Sequence, residues 1–264
     1  MKPVLRSVVL LLVLAVRAPV HAADPSGAEI VKRSLDAFYY AGSDMRARVT
    51  MKLINPQGQV RSRDMTMLRL NTGTSGDQRY YIYFHAPADV KGTAFLVWKY
   101  PAKEDDRWIY VPALKLVKRI AADDKRSSFV GSDFTYEDVS GRDLEDETHT
   151  LLRSEDLAGR PVYVVESKPK AAEYARRISW IDRERWLPLK EEYQDARGAT
   201  MRVFTADKVE QADKHWTVTA RTMKNLQSGH RTEVVFQEIA YDMGLRPDVF
   251  TERYLRDAPA QWVR

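Results

Sequence analysis

The chain contains no cysteine. That excludes a disulfide framework, a thiolate metal site and a cysteine nucleophile. Histidine is scarce as well. His21, His85, His149, His215 and His230 are scattered, and none stands at metal-ligand spacing from another ligand. No Gly-x-Ser-x-Gly turn is present, and Gly131-Ser132-Asp133 lacks the strand-to-helix context that a serine nucleophile elbow needs. No glycine-rich loop follows a strand to cradle a phosphate. Asp105-Asp106 and Asp123-Asp124 are adjacent carboxylates on polar loops, which read as solvated rather than as an acid/base pair. These absences point away from an enzyme, a cofactor or a metal. A lipid hydrolase would need a nucleophile and base that the chain does not offer. There is no internal repeat, low-complexity tract or interdomain linker.

Long apolar runs are equally scarce. The only one is 8–16, preceded by Lys2 and Arg6 and followed by Val20-His21-Ala22, with small residues where a signal peptidase requires them. Residues 1–22 therefore read as a secretory signal peptide cleaved near Ala22, and 23–264 as one mature domain. A signal anchor is the alternative, but the run is too short to span a bilayer. The charge shrinks accordingly: 42 basic residues less Lys2, Arg6 and Arg17 leaves 39 against 37 acidic, a net charge of +2. That gives little support to nucleic-acid binding. An exported chain of this length can bury a core large enough to do without disulfides.

What the chain does have is alternation. Residues 26–40 form one helix, with Ser26 and Glu29 at capping-box spacing and Ile30, Val31, Ser34, Leu35 and Phe38 on one face. In 45–54, Met45, Ala47, Val49, Met51 and Leu53 alternate with Arg46, Arg48, Thr50 and Lys52, the period of a half-buried strand. Extended patterns continue at 60–70, 80–84, 93–100, 108–111, 116–120, 148–153, 161–167, 176–181, 187–194, 200–209, 216–223 and 232–239. Turn chemistry separates them, as at Asn55-Pro56-Gln57-Gly58. A helical turn is expected near 140–147 and a short helix over 247–254. The class is mainly β: an antiparallel sheet that curls.

The stretch 107–139 draws attention within that sheet. A hairpin leads through Asp123-Asp124-Lys125-Arg126 to an aromatic loop bearing Phe129, Phe134 and Tyr136. Such a loop can close an apolar pocket. Methionines at 45, 51, 65 and 67 suit a surface that must fit variable apolar shapes. Lys115, Lys118, Arg119, Lys125 and Arg126 are the one basic concentration; a solvated strand edge and a surface steering an anionic lipid or partner are both open readings. An exported curved sheet lined by Met, Tyr, Trp and Phe suggests a pocket for an acyl chain.

The runs Gly92-Thr93-Ala94-Phe95-Leu96, Trp108-Ile109-Tyr110-Val111-Pro112-Ala113-Leu114, Lys118-Arg119-Ile120 and 128–138 (SFVGSDFTYED) carry a resemblance. The chain resembles the LolA-like outer-membrane lipoprotein-sorting proteins over essentially its whole mature length. Many members carry Met where this chain has Val130. The resemblance implies an unclosed antiparallel half-barrel, of about eleven strands here, with an N-terminal helix and short lid helices over an apolar cavity. It implies a periplasmic carrier that binds the acyl chains of lipoproteins or a related lipid and shuttles them towards the outer membrane. The implied partners are the lipid, an inner-membrane transporter, often of RND type in similar members, and an outer-membrane acceptor. Arg69-Leu70-Asn71 falls where LolA has an Arg-Pro-Asn turn whose arginine lies at the lid, Leu70 replacing the proline. On this basis Met51, Met65 and Met67, Tyr81 and Tyr83, Phe95 and Val97, and Trp108 and Tyr110 are expected to line the cavity. Phe129, Phe134 and Tyr136 are expected to form a mobile rim, with Arg69 at the lid. Alternation alone does not say which face of each strand is inside. The alternative is a non-carrier accessory or sensor module that docks an RND-type envelope transporter.

Overall fold

Ser26 starts the longest helix of the described residues. Its side chain accepts a hydrogen bond from the Glu29 amide at 3.2 Å, and α1 then runs Gly27–Tyr39. Only this half of the expected capping box forms, because the Glu29 carboxylate pairs with Arg33 instead. Ile30 and Val31 are buried on one face, while the Lys32–Asp36 and Glu29–Arg33 pairs sit on the exposed one. The computed structural model describes residues 24–73, 76–101, 103–171 and 173–263. The signal peptide expected over 1–22 lies outside the described residues.

Each segment read as extended from alternation is a strand, thirteen among the described residues rather than the expected eleven or so. The first meander comprises β1 (Asp44–Ile54), β2 (Val60–Thr72), β3 (Asp77–Ala86), β4 (Ala94–Lys99), β5 (Asp106–Val111) and β6 (Leu116–Ile120). The second comprises β7 (Glu147–Leu157), β8 (Arg160–Pro169), β9 (Arg176–Asp182), β10 (Pro188–Gln194), β11 (Thr200–Ala212), β12 (His215–Asn225) and β13 (Arg231–Tyr241). One sheet runs β6-β5-β4-β3-β2-β1-β13-β12-β11-β10-β9-β8-β7. β1 and β13 pair antiparallel, Met45 against Tyr241 and Ile54 against Arg231, and so join the two meanders. β6 and β7 are terminal strands that do not pair with each other, so the barrel is left open.

One apolar cluster takes Met45, Val49, Met51, Met65, Phe84 and Phe95 from the first meander and Tyr193, Phe204, Met223 and Val234 from the second. Strands so far apart in one sheet can share a core only if the sheet curls around it. This is the concave face, and the architecture is the mainly β half-barrel.

The opposite face of β2–β5 is also covered. Leu68, Leu70, Tyr81, Leu96 and Trp108 pack against Leu245, Val249, Phe250, Leu255 and Val263 of the C-terminal segment. That segment holds a 3-10 turn at Pro247–Val249, α3 (Arg253–Arg256) and α4 (Ala260–Val263) in place of the single helix expected over 247–254. Tyr81 and Trp98 donate to the backbone oxygens of Tyr254 and Phe250, both at 2.7 Å. β3 reads as apolar on both faces because the concave core takes Tyr80, Ile82 and Phe84 and the C-terminal segment takes Tyr81. The helical turn expected near 140–147 is divided into α2 (Tyr136–Ser140) and a 3-10 turn at Leu144–Asp146.

Candidate functional site

The concave face is closed by two elements. α1 covers one side, where Ile30 and Val31 pack on Tyr163, Val165 and Ile181 of β8 and β9. The other closure is the segment between β6 and β7. Phe129 donates its amide to the Phe134 oxygen at 2.8 Å, and Ser132 donates to Phe129 at 3.0 Å. Val130 and Gly131, the central residues of this turn, have φ of +50° and +79°, the type I′ pattern for which glycine is the natural second residue. The turn drives its aromatic pair inward. Phe129 meets Phe95 at 5.4 Å, Tyr136 at 5.5 Å and Phe84 at 6.1 Å between ring centres.

The polar residues of the same stretch anchor this plug. The Asp133 carboxylate meets His230 at 2.6 Å and Thr232 at 2.7 Å, tying the turn to β13. Thr135 caps α2: its hydroxyl accepts from the Asp138 amide at 3.1 Å, and its own amide donates to Asp138 at 2.9 Å. Asp138 then reaches Arg142 at 2.5 Å and Arg202 of β11 at 3.2 Å. Ser132 holds the turn itself, its hydroxyl accepting from the Phe134 amide at 3.2 Å, and Glu137 pairs with Arg142 at 3.2 Å.

Asp138 belongs to a buried ionic network that the alternation does not reveal. Arg177 of β9 binds Glu147 at 2.5 Å and Glu191 at 2.8 Å. Tyr174 donates to Glu147 at 2.9 Å, and Tyr193 to Glu191 at 2.8 Å. Burial by itself raises the Asp138 carboxyl, but Arg142, Arg202 and the Thr135 amide outweigh it and hold the group well below the usual carboxylate range. Glu147 is lowered likewise, burial being overcome by Arg177 and Arg142. Burial pushes the Tyr174 hydroxyl up to about 12. A sequence signal existed in Arg177-x-Ser179 and Glu191-x-Tyr193, polar residues at period two that share the inward face.

The C-terminal end of α1 is clamped to the sheet. Arg69 donates to the oxygens of Tyr39, at 2.6 Å, and Ala41. Asn71 donates to Tyr40 at 3.0 Å and Gly42 at 2.7 Å, and Gln78 to Tyr39 at 2.8 Å. The carbonyls that a helix end leaves without partners are thus satisfied by side chains of β2 and β3. Gly42 turns the chain at φ +68°, and a Cβ there would stand 2.9 Å from the Tyr241 ring. Arg69, which the resemblance puts at the lid, thus bonds to the end of the covering helix.

The structure divides the expected cavity residues. Met51, Met65, Met67, Phe95 and Val97 share the concave face with Phe129, Phe134 and Tyr136. Tyr81, Tyr83, Trp108 and Tyr110 do not join them; they lie on the convex face against the C-terminal segment. The reason is register. Ile82 pairs with Phe95, and Phe95 with Ile109, so the tyrosines on either side of Ile82 and the aromatics on either side of Ile109 point the other way. Each of these pairs keeps one parity, and parity alone does not say which face is concave. Phe129 and Phe134, expected at a mobile rim, are 3% and 4% exposed and fill the hollow. The basic concentration also divides, with Lys125 buried between Glu104 and Asp146 and Arg119 paired with Asp106.

With helix and plug in place, little space remains. Three cavities of about 40, 50 and 20 Å³ follow one another under α1 and the plug. Pockets that enclose a ligand typically hold roughly 300 Å³ or more. An acyl chain therefore enters this hollow only if the helix or the plug moves. Among the described residues, no group of three or more His, Cys, Asp or Glu is placed to hold a metal ion, and no helix is long and apolar enough to cross a membrane.

A family model described as an uncharacterized protein matches residues 76–257. No curated protein matches the chain by sequence. Among solved structures, one named as a candidate outer membrane lipoprotein-sorting protein domain, from Vibrio parahaemolyticus, is 32% identical with a TM-score of 0.80. The match covers 87% of this chain and 98% of that one. A DUF1329 family protein from Desulfovibrio piger is 29% identical with a TM-score of 0.80, covering 87% and 97%. A LolA superfamily protein from Nitrosomonas europaea shares the fold at 16% identity and a TM-score of 0.68, covering 88% and 100%.

Proposed function

Because the chain belongs to the LolA-like outer-membrane lipoprotein-sorting family, we propose that it is a carrier that holds the acyl chain of a lipoprotein or another lipid on its concave face. The observation behind this reading is the methionine-rich concave surface under two removable covers. Met45, Met51, Met65 and Met67 share the concave face of β1 and β2, and α1 and the Phe129–Phe134 plug lie over the curl of the sheet. Moving the covers exposes an apolar trough without breaking a strand pair. Each methylene then buried contributes about 0.8 kcal/mol, so a long chain stays bound until a partner or a lid motion releases it.

No step of this function makes or breaks a covalent bond. In this reading the protein works in the periplasm after its signal peptide is cleaved near Ala22. It loads from an inner-membrane transporter, the RND type being a candidate, and delivers to an outer-membrane acceptor. The test is mass spectrometry of organic extracts from mature protein purified from the periplasm without detergent, together with uptake of a fluorescent fatty acid. A stoichiometric lipid or acylated peptide supports the carrier. An empty protein that takes up no fatty acid refutes it. The closed hollow, with cavities no larger than about 50 Å³, favours one competing reading: an accessory or sensor module that docks a transporter and carries nothing.

A further inference from the structure

Four arginines on the concave side have evident partners: Arg142, Arg177 and Arg202 bind carboxylates, and Arg69 binds helix carbonyls. Arg221 differs. It sits on β12, opposite Ala206 of β11 and Val234 of β13, and it lines all three cavities under the lid. Its guanidinium makes no hydrogen bond or ion pair with the described residues, and its Nε is buried without a partner. Three aromatic rings surround it, Phe236 at 4.7 Å, Phe38 at 5.4 Å and Phe134 at 5.5 Å. The titratable groups that face it are Tyr39, Asp138 and Tyr80. The Asp138 carboxylate is taken by Arg142 and Arg202, Tyr39 donates to the backbone oxygen of Asp138, and Tyr80 donates to Gln78. Arg221 is thus a fixed cation, held by ring faces, with donors to spare at the junction of the cavities.

Building on the carrier reading, we propose that Arg221 is an anion anchor and that the ligand is an acyl chain carrying an anionic head, a carboxylate or a phosphate, rather than a wholly neutral acyl ester. The head would displace the Phe38 and Phe134 rings from the guanidinium and be held by charge-assisted hydrogen bonds. The chain would run from there along Met51, Met65 and Met67, which share a cavity with Arg221. A neutral ester has no acceptor of comparable strength to offer and leaves the guanidinium as it is.

The experiment compares palmitate, methyl palmitate and a lysophosphatidate of the same chain length on the full mature protein. It uses competition against a fluorescent fatty acid, for the native protein and for Arg221→Met and Arg221→Lys. One charged hydrogen bond is sufficient for a preference of about tenfold or more for either anion over the ester. Arg221→Met should abolish that preference while still binding the ester, and Arg221→Lys should restore part of it. Whichever of palmitate and lysophosphatidate binds tighter identifies the head as carboxylate or phosphate. Equal binding of acid and ester by the native protein overturns the anchor and leaves the carrier standing, and this comparison needs no variant to fold. Native-like discrimination by Arg221→Met also overturns the anchor. Failure of the native protein to bind any of the three overturns both.

Discussion

Gly27 is the residue on which the docking of α1 turns, and Gly27→Ala tests whether the helix is a separable cover. A Cβ at Gly27 would lie 2.8 Å from the carbonyl carbon and oxygen of His149 and from the amide nitrogen of Leu151, all backbone atoms of β7. Ordinary contact begins near 3.4 Å, so the N-terminal end of the helix must rise by about 0.6 Å or more. A gap of that size forfeits about a quarter to a half of a packing contact. Ile30 and Val31, buried against β8 and β9, contribute about 1.5–3 kcal/mol each when fully packed. Scaled by that fraction, the loss is about 1–3 kcal/mol. Alanine returns at most about 1 kcal/mol of helix propensity. The net effect is up to about 2 kcal/mol towards the undocked helix, a rise of up to about 30-fold in its population. Native-state hydrogen exchange should show this as faster exchange of the α1 amides with the β1–β13 amides unchanged, and a fluorescent fatty acid should enter faster. Ser26→Ala is the control: it removes the cap at a cost of about 1 kcal/mol and frays the helix without lifting it off β7. If Gly27→Ala leaves α1 exchange as it was and raises the melting temperature, propensity has won and the reasoning about close approach is refuted.

Asp138→Asn should cost about 3–5 kcal/mol in denaturant titrations, since it leaves Arg142 and Arg202 buried with one carboxylate fewer. The native Asp138 carboxyl is held below its unfolded value, so its contribution is complete above about pH 4 and is lost as pH falls further. The acid limb of the stability profile should therefore flatten in the variant, and an unchanged limb would contradict the assignment. Phe129→Ala removes a ring packed on Phe84, Phe95 and Tyr136 and should lower stability by about 3–5 kcal/mol while enlarging the hollow. A melting temperature equal to the native one would mean that the ring is not part of the core. Arg69→Ala strips the Tyr39 and Ala41 carbonyls of a donor, and about 1–3 kcal/mol of lost stability should appear in denaturant titrations. No loss there would show that Asn71 and Gln78 suffice to hold the helix end.

Much of the fold was legible because period-two alternation is a direct consequence of strand geometry. Met45, Ala47, Val49, Met51 and Leu53 read as one dry face from their spacing, and they share the concave core. The alternation could not say where the convex face was covered, because the residues that cover it, Leu245 to Val263, are more than a hundred positions from the strands they protect. Tyr81, Trp108 and Tyr110 were misplaced for that reason: two apolar faces on one strand look alike until a second layer is found. The ionic network failed to register for the opposite reason. Arg177, Glu191 and Arg202 have the residue types of a wet face, and only the curl of the sheet, bringing β9, β10 and β11 over α2, makes them interior. Arg221 belongs with them, and single-strand periodicity gives no hint that it lacks a carboxylate.

The pairing of β1 with β13 has a consequence for assembly. Every other pairing in the sheet joins strands that are neighbours in the chain, so each meander can zip up locally. The seam instead unites residue 45 with residue 241, a closure that must wait for both halves. Until it forms, β1 and β13 present bare edges flanked by methionine and valine, and each can recruit the corresponding edge of a second molecule. Domain exchange across this seam is thus the misassembly route built into the topology, and two fragments parted in the 121–146 connection should reconstitute the whole through the same edges.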